Sequence, residues 1–275
     1  MSAIAIIGII IIIVGIICFF FYRSSLDKLR NILATETSKV QDIIEEHKVI
    51  SSDKVIGTGS FEKKVELKGD VECDSPLISE IGKTECVYYK TEVRRKWEGR
   101  EHHTDSQGHH EDRTVTGEDT VSSQTQSKEF FINDGTGKIK VCPDGAEIDL
   151  ISVIDRFEPA SGATMSGSYL KFGNFSLNIG GFNFGGDARR TLGYHIKESI
   201  FPLGRRVYIL GIANDSTGEL RVSRAINKGD KFIITTKSEE ELIAQTKKSA
   251  NILKIVALIG VPVGILCFII GLFIK

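Results

Sequence analysis

No closely spaced cysteine pair, no phosphate-binding loop and no hydrolase elbow occurs in this 275-residue chain. Its five cysteines include no C-x-x-C. Cys18 and Cys267 lie in long apolar runs, which leaves Cys73, Cys86 and Cys142 between them. An odd number without close spacing fits neither a disulfide framework nor a cysteine zinc site. Small buried hydrophobes are the reading they support. Gly135-Thr136-Gly137-Lys138 ends like a phosphate loop, but Ile132 stands where the first glycine is required and Ile139 where Ser or Thr should follow. Gly57-Thr58-Gly59-Ser60 opens no helix and is not a dinucleotide fingerprint. No Gly-x-Ser-x-Gly is present. An excess of one charge is missing too, since the net charge is −1. The basic pairs Arg94-Arg95 and Arg205-Arg206 have acids nearby, so no nucleic-acid surface is expected. Spacing therefore points to no catalytic constellation and no cofactor.

What the chain does have is two long hydrophobic runs, Ile4–Tyr22 and Ile252–Ile274. Each is long enough to cross a bilayer as a helix, which needs about 20 residues. The rival reading of the first run is a cleaved signal peptide. Against it, the run is longer than a usual signal core, no Lys or Arg precedes it, and no small-residue cleavage site follows Phe19-Phe20-Phe21-Tyr22-Arg23. The expectation is an integral, two-pass membrane protein with transmembrane helices at 1–23 and 252–274. Arg23, Lys28 and Arg30 follow the first run, and Lys247, Lys248 and Lys254 precede or open the second. By the positive-inside rule the region between them faces the cytoplasm.

Between the runs, Leu26, Leu29, Ile32, Leu33, Val40, Ile43 and Ile44 recur mostly three, four or seven apart among charged residues. This is an amphipathic helix within a 24–50 segment, packed on its own domain. Self-association through the stripe, and hence an oligomer, stays open. From residue 57 to 237 the period changes to two, with about ten short strands separated by turn signals. Asn133-Asp134-Gly135-Thr136-Gly137 is a hairpin turn, and Asn214-Asp215-Ser216-Thr217-Gly218 another. The fold class expected is a β-rich, barrel- or sandwich-like soluble domain flanked by the two transmembrane helices. Ser238 with Glu241 three positions on matches a capping box, which starts a helical stalk at 238–251 before the second span.

Two insertions interrupt the strands. Gly99–Ser127 is polar and reads as a long loop or an exposed hairpin. It carries His102, His103, His109 and His110 beside Glu101, Glu111 and Asp112. Imidazoles with carboxylates could bind zinc, nickel or copper. The spacing matches no structural zinc pattern, so solvation or adventitious binding is the preferred reading. Ser161–Gly186 is the opposite, with Lys171 its only charge besides nothing acidic. Phe172, Phe175, Phe182 and Phe184 fall in this glycine-punctuated hairpin, which either packs on the main sheet or meets a partner protein.

Several pieces recur in a recognisable order. Ser75-Pro76-Leu77, Cys86-Val87-Tyr88-Tyr89, Trp97 and Phe131-Ile132-Asn133-Asp134-Gly135-Thr136-Gly137 lead to Val141-Cys142-Pro143 and Ala146. Thr191-Leu192-Gly193, Glu198, Pro202-Leu203-Gly204, Tyr208-Ile209-Leu210-Gly211 and Phe232-Ile233-Ile234 follow. Together they resemble the GIDE/MULAN type of mitochondrial RING ubiquitin ligase, in its membrane-flanked "beside-a-membrane" domain. The resemblance implies a domain between two membrane helices that engages other proteins, with ubiquitin transfer carried by a RING finger beyond the second helix. The eight Cys and His ligands of a RING have no counterpart up to Lys275, so the expectation is a RING-less relative. The function expected is a membrane-anchored protein-binding or scaffolding module. The alternatives are a ligase-related chain working through a RING or conjugating enzyme on another chain, or a metal or stress sensor using the histidines.

Overall fold

The computed structural model describes residues 2–52, 59–104, 110–173, 175–180, 189–225 and 230–273, with only the backbone of 102–104, 110 and 111. Helices α1 (Ala3–Leu33) and α2 (Val40–Ser52) come first. Strands β1 (Glu62–Glu72), β2 (Leu77–Ile78), β3 (Glu85–Thr104), β4 (His110–Ser127), β5 (Phe130–Asn133), β6 (Lys138–Val141), β7 (Glu147–Ile148) and β8 (Ile151–Pro159) follow. Then come β9 (Ala163–Ser166), β10 (Tyr169–Phe172), β11 (Phe175–Asn178), β12 (Arg190–Pro202), β13 (Arg206–Asn214), β14 (Arg221–Ser223), β15 (Ile233–Thr235) and helix α3 (Glu239–Phe273). The chain forms two compact units. One is Met1–Asp70 with Ile132–Glu147 and Arg206–Lys275, the other Val71–Phe131 with Ile148–Arg205.

The first unit is built on a sheet ordered β1-β5-β6-β14-β13-β15-β7, in which β1 also pairs with β13. That extra pairing closes β1, β5, β6, β14 and β13 into a five-stranded barrel. Its third and fifth strands in chain order, β6 and β14, run parallel, which is the winding of an OB-type Greek-key barrel. Register places Val65 and Leu67 on the same face as Ile209 and Val207, while Glu66 lies on the other face with Tyr208 and Leu210. Both faces of β13 are buried. The second is covered by Ile32 of α1 and Leu242 of α3, which cluster with Tyr208, Leu210 and Ile233. This double burial is why β13 reads as a nearly continuous apolar run rather than an alternating one.

α1 and α3 are long and apolar enough to cross a membrane, with mean hydropathies of 3.4 and 2.8 in their most apolar windows. Only 17% and 11% of those windows is buried, so neither is the core helix of a soluble domain. α3 joins the stalk to the second apolar run in one helix, opened by the Ser238–Glu241 capping box. The two helices pack along small residues at seven-residue intervals, Gly8 and Gly15 on α1 against Ala257, Gly264 and Gly271 on α3. A Cβ on Gly8 would stand 2.5 Å from the Phe268 amide nitrogen, and one on Gly264 2.8 Å from Ile12 Cγ1. Small residues let backbones approach where lipid offers no hydrophobic drive to association.

The helix expected over the apolar stripe is divided after Leu33. Thr37 bridges Glu66 in β1, and the Ser38 N–H donates to the Glu66 carbonyl at 2.8 Å. α2 then restarts on a cap supplied by the β5–β6 turn. The Val40 N–H donates to Asp134 Oδ2 at 2.9 Å and the Gln41 N–H to Thr136 Oγ1 at 3.2 Å. The hairpin turn thus satisfies the orphan donors of a helix nearly a hundred residues away. Gly135 has φ +87°, the left-handed conformation this turn requires.

The second unit holds a five-stranded sheet, β2-β3-β12-β8 with β4 also on β3, and a three-stranded sheet, β11-β10-β9. Val93, Val121, Tyr194 and Ile196 from the larger sheet share a core with Leu170, Phe172, Leu177 and Ile179. The polar stretch Gly99–Ser127 is a hairpin rather than a loop, since β4 pairs with β3 along its length. Trp97 lies against Gly117 directly opposite, where any Cβ would collide with the indole.

Two predictions follow from the first unit. Gly8→Leu is expected to cost about 1–3 kcal/mol by overpacking, read by denaturant titration in mild detergent. Gly260→Ala, whose Cβ would meet only Gly15 Cα at 3.9 Å, should be near neutral. Asp134→Ala should cost about 0.5–2 kcal/mol as a lost cap. Burial alone would raise the Asp134 pKa, but hydrogen bonds from Val40, Thr136 and Gly137 hold it below the usual value. Its contribution is therefore present above the ordinary carboxylate pKa and lost as pH falls through the depressed one. Wild type and variant should converge in stability in acid.

Candidate functional site

The aromatic hairpin is the first place to look for a surface. Register on β10 and β11 turns Leu170, Phe172 and Leu177 inward. Phe172 is buried, edge-on to Tyr194 at 5.3 Å and stacked on Phe175 at 5.3 Å. Phe175 is half-buried, and the Arg156 guanidinium lies 5.8 Å from its centroid. Phe182 and Phe184 lie outside the described residues. The opposite face of the hairpin presents Tyr169, Lys171, Ser176 and Asn178 to solvent. Leu170, Phe172 and Leu177 are thus core. Of the histidines, His109 lies outside the described residues, and for His102, His103 and His110 only the backbone in β3 and β4 is described. Among the described residues no cluster of three or more His, Cys, Asp or Glu could hold a metal ion.

A different surface emerges at the end of the five-stranded sheet. Among the described residues β8 has one strand neighbour, β12, and most of its side chains are exposed. Phe157 is 49% exposed and Val153 39%. The Phe157 ring lies close to Gly193 of β12, where a Cβ would stand 2.4 Å from its Cζ. Val153 is the extra residue where the register shifts between Glu198 and Ser199, a bulge in β8. Between them Asp155 accepts from His195 Nε2 at 2.6 Å, with Lys197 Nζ at 3.8 Å. The His195 hydrogen bond chiefly holds the Asp155 carboxyl below its usual pKa. The other face of the strand carries the Arg156–Glu158 ion pair at 3.0 Å. Among the described residues β8 is therefore an open edge with two exposed apolar side chains among fixed charges. The sequence marked it as a strand, but nothing local distinguishes an edge strand from a central one.

Buried acids are the remaining candidates for chemistry. Glu198 on β12 is fully buried, and its carboxylate accepts from the N–H groups of Ile81 at 2.7 Å and Gly82 at 2.8 Å and from the Thr91 hydroxyl at 3.2 Å. It clamps the turn before β3. Burial, and then the Glu198 charge, pushes the Cys86 thiol up to about 11. A thiol so placed is not a thiolate at neutral pH and is no nucleophile. Glu80 beside it is raised by burial and then by Glu198, and its Oε2 is buried without a hydrogen-bond partner. In the first unit Glu66 is buried and accepts from Thr37 Oγ1 at 2.5 Å and Tyr208 OH at 2.8 Å, with Lys68 Nζ at 3.1 Å. Burial and then Glu66 raise the Tyr208 phenol well above its usual range. Glu198 and Glu66 hold neighbouring elements in place.

A model of one protein family, GIDE, described as an E3 ubiquitin ligase, matches residues 98–269, more than half of the chain. The chain belongs to the GIDE family. No match is found among curated proteins or among solved structures. Within this GIDE chain the recurrent motifs occupy structural positions. Asp134 and Thr136 cap α2, Gly193 underlies Phe157, Glu198 clamps a turn, and Gly211 lies under the Phe232 ring.

Glu80 gives a pH-dependent test. Its folded pKa is raised, so the stability it contributes is present below the ordinary carboxylate pKa and lost as pH rises through the raised value. Glu80→Gln removes that loss. Its thermal midpoint is expected to fall less than that of wild type as pH rises from below the ordinary carboxylate pKa to neutral; equal slopes would contradict the assignment.

Proposed function

We propose that this GIDE chain is a membrane-anchored protein-binding module with a ubiquitin-ligase-related role, holding a partner protein beside the bilayer. The observation that carries the reading is the open β8 edge with Val153 and Phe157 exposed. A free edge offers backbone donors and acceptors to an extended segment of another protein, and alternate side chains give it selectivity. The two apolar helices support anchoring, and anchoring raises the effective concentration of membrane-bound partners. The basic residues Arg23, Lys28, Lys247, Lys248 and Lys254 support a cytoplasmic position for the β-rich part. Phe182 and Phe184 are proposed as further contacts.

A second reading follows from the family description. The chain contributes to ubiquitin transfer by recruiting a RING or a conjugating enzyme from another chain. Both readings assign the transfer chemistry to another chain.

Phe157→Lys is expected to reduce partner capture from solubilised membranes at least about ten-fold, the scale of one buried aromatic anchor, without changing the melting temperature by more than a surface substitution does. Ubiquitin transfer by the purified chain with activating and conjugating enzymes should stay at background. Robust transfer without an added ligase would overturn the reading.

A further inference from the structure

α1 and α3 do not touch evenly along their length. Where glycines face each other the backbones meet, but between Ile16 and Tyr22 on α1 and Lys254 and Pro262 on α3 they leave a groove of about 450 Å³. Ala257, with a side chain of one methyl group, lines it together with Phe19. Apolar atoms make up nearly all of the groove's surface. Pro262, at the inner end, has no N–H to give the Leu258 carbonyl, so the helix ladder is loosened along this wall.

The outer end is different. Tyr22 and Lys254 stand there, opposite each other on the two helices. Lys254 lies within the second hydrophobic run, is exposed, and makes no hydrogen bond or ion pair among the described residues. Lys247 and Lys248 on α3 and Arg23 on α1 are exposed nearby in sequence, whereas Asp27 is already engaged by Arg30 at 3.4 Å. An unpaired ammonium at the mouth of an apolar slot, with further cations around it, suits an amphiphile with an anionic head. Tyrosine at the same level is the side chain expected at a bilayer interface.

We infer that this groove holds one acyl chain of an anionic phospholipid, with the lipid phosphate on Lys254. The inference rests on the reading of α1 and α3 as membrane spans. The chain fills the slot that the small Ala257 leaves open, and the phosphate supplies the partner that Lys254 lacks within the protein. A lysine close to an anionic membrane surface is worth roughly a five-fold preference.

The full chain is reconstituted in phosphatidylcholine bilayers containing a minority of phosphatidylglycerol, and alkaline carbonate extraction is performed first. Release of the chain by carbonate would overturn the membrane-spanning reading itself. If the chain stays embedded, mild detergent extraction and native mass spectrometry report the retained lipid. Wild type should retain phosphatidylglycerol about five-fold above its bilayer proportion. Lys254→Gln should return that ratio to the bilayer proportion while still carrying lipid, and Ala257→Phe, which fills the slot, should carry less of both lipids. The same ratio in wild type and Lys254→Gln would overturn the proposal. Dimers whose groove binds no lipid would overturn it too, by showing that a second copy occupies the slot. Circular dichroism separates loss of lipid from loss of fold in Ala257→Phe; Lys254→Gln, at an exposed position, tests the charge independently.

Discussion

The join between β13 and the two helices is the constraint on which the first unit depends. One face of β13 lines the barrel, and the other must be covered because Tyr208 and Leu210 project from it. Ile32 and Leu242 provide that cover from the ends of α1 and α3. Burial of each aliphatic side chain contributes about 1.5–3 kcal/mol, and removing the helices would expose the whole apolar face. A buried carboxylate sits in the same layer. Glu66 reaches Tyr208 on β13 and Thr37 in the break after α1, while Lys68 links Glu66 to Glu239 at the start of α3. Burial opposes the charge on Lys68, but its hydrogen bonds to Glu239 and Glu66 hold its pKa above the ordinary value. Helices and barrel are therefore one structural piece.

Much of this architecture was legible in the residues. Apolar runs of the right length marked α1 and α3, alternation marked most strands, and the Ser238–Glu241 spacing marked the start of α3. The turn at Asn133–Gly137 was legible as a turn, yet its second task was not. Asp134 and Thr136 cap a helix distant in sequence, and no local pattern encodes that. The division of the amphipathic stripe at Leu33 was hidden for the same reason, since Thr37 and Ser38 bond to β1 instead of continuing the helix. The β3–β4 hairpin was one of two readings of a polar stretch, and composition did not decide between them. Ladder hydrogen bonds are indifferent to side-chain polarity, so an exposed ribbon need not alternate apolar and polar residues.

The glycine seam between α1 and α3 could have been found from the seven-residue spacing of Gly8 and Gly15 and of Ala257, Gly264 and Gly271. The open edge at β8 could not, because edge position is set by the order in which strands pair. The family motifs likewise carry the fold, and function has to be sought in surfaces that the fold exposes. Phe172 illustrates the point. Its place in a hairpin with a single charge suggested a contact, but the hairpin's register turns it onto Tyr194. Phe157, one of several apolar residues in an ordinary strand, is left half in solvent.

The proposed role stands or falls on what meets that edge. The most direct measurement is site-specific photo-crosslinking in native vesicles, with a benzophenone amino acid placed at Phe157 and, separately, at Lys171 on the polar face of the hairpin. A discrete protein adduct from position 157, absent from position 171, is the expected result. No adduct at 157, or the same adducts from both positions, would contradict the account.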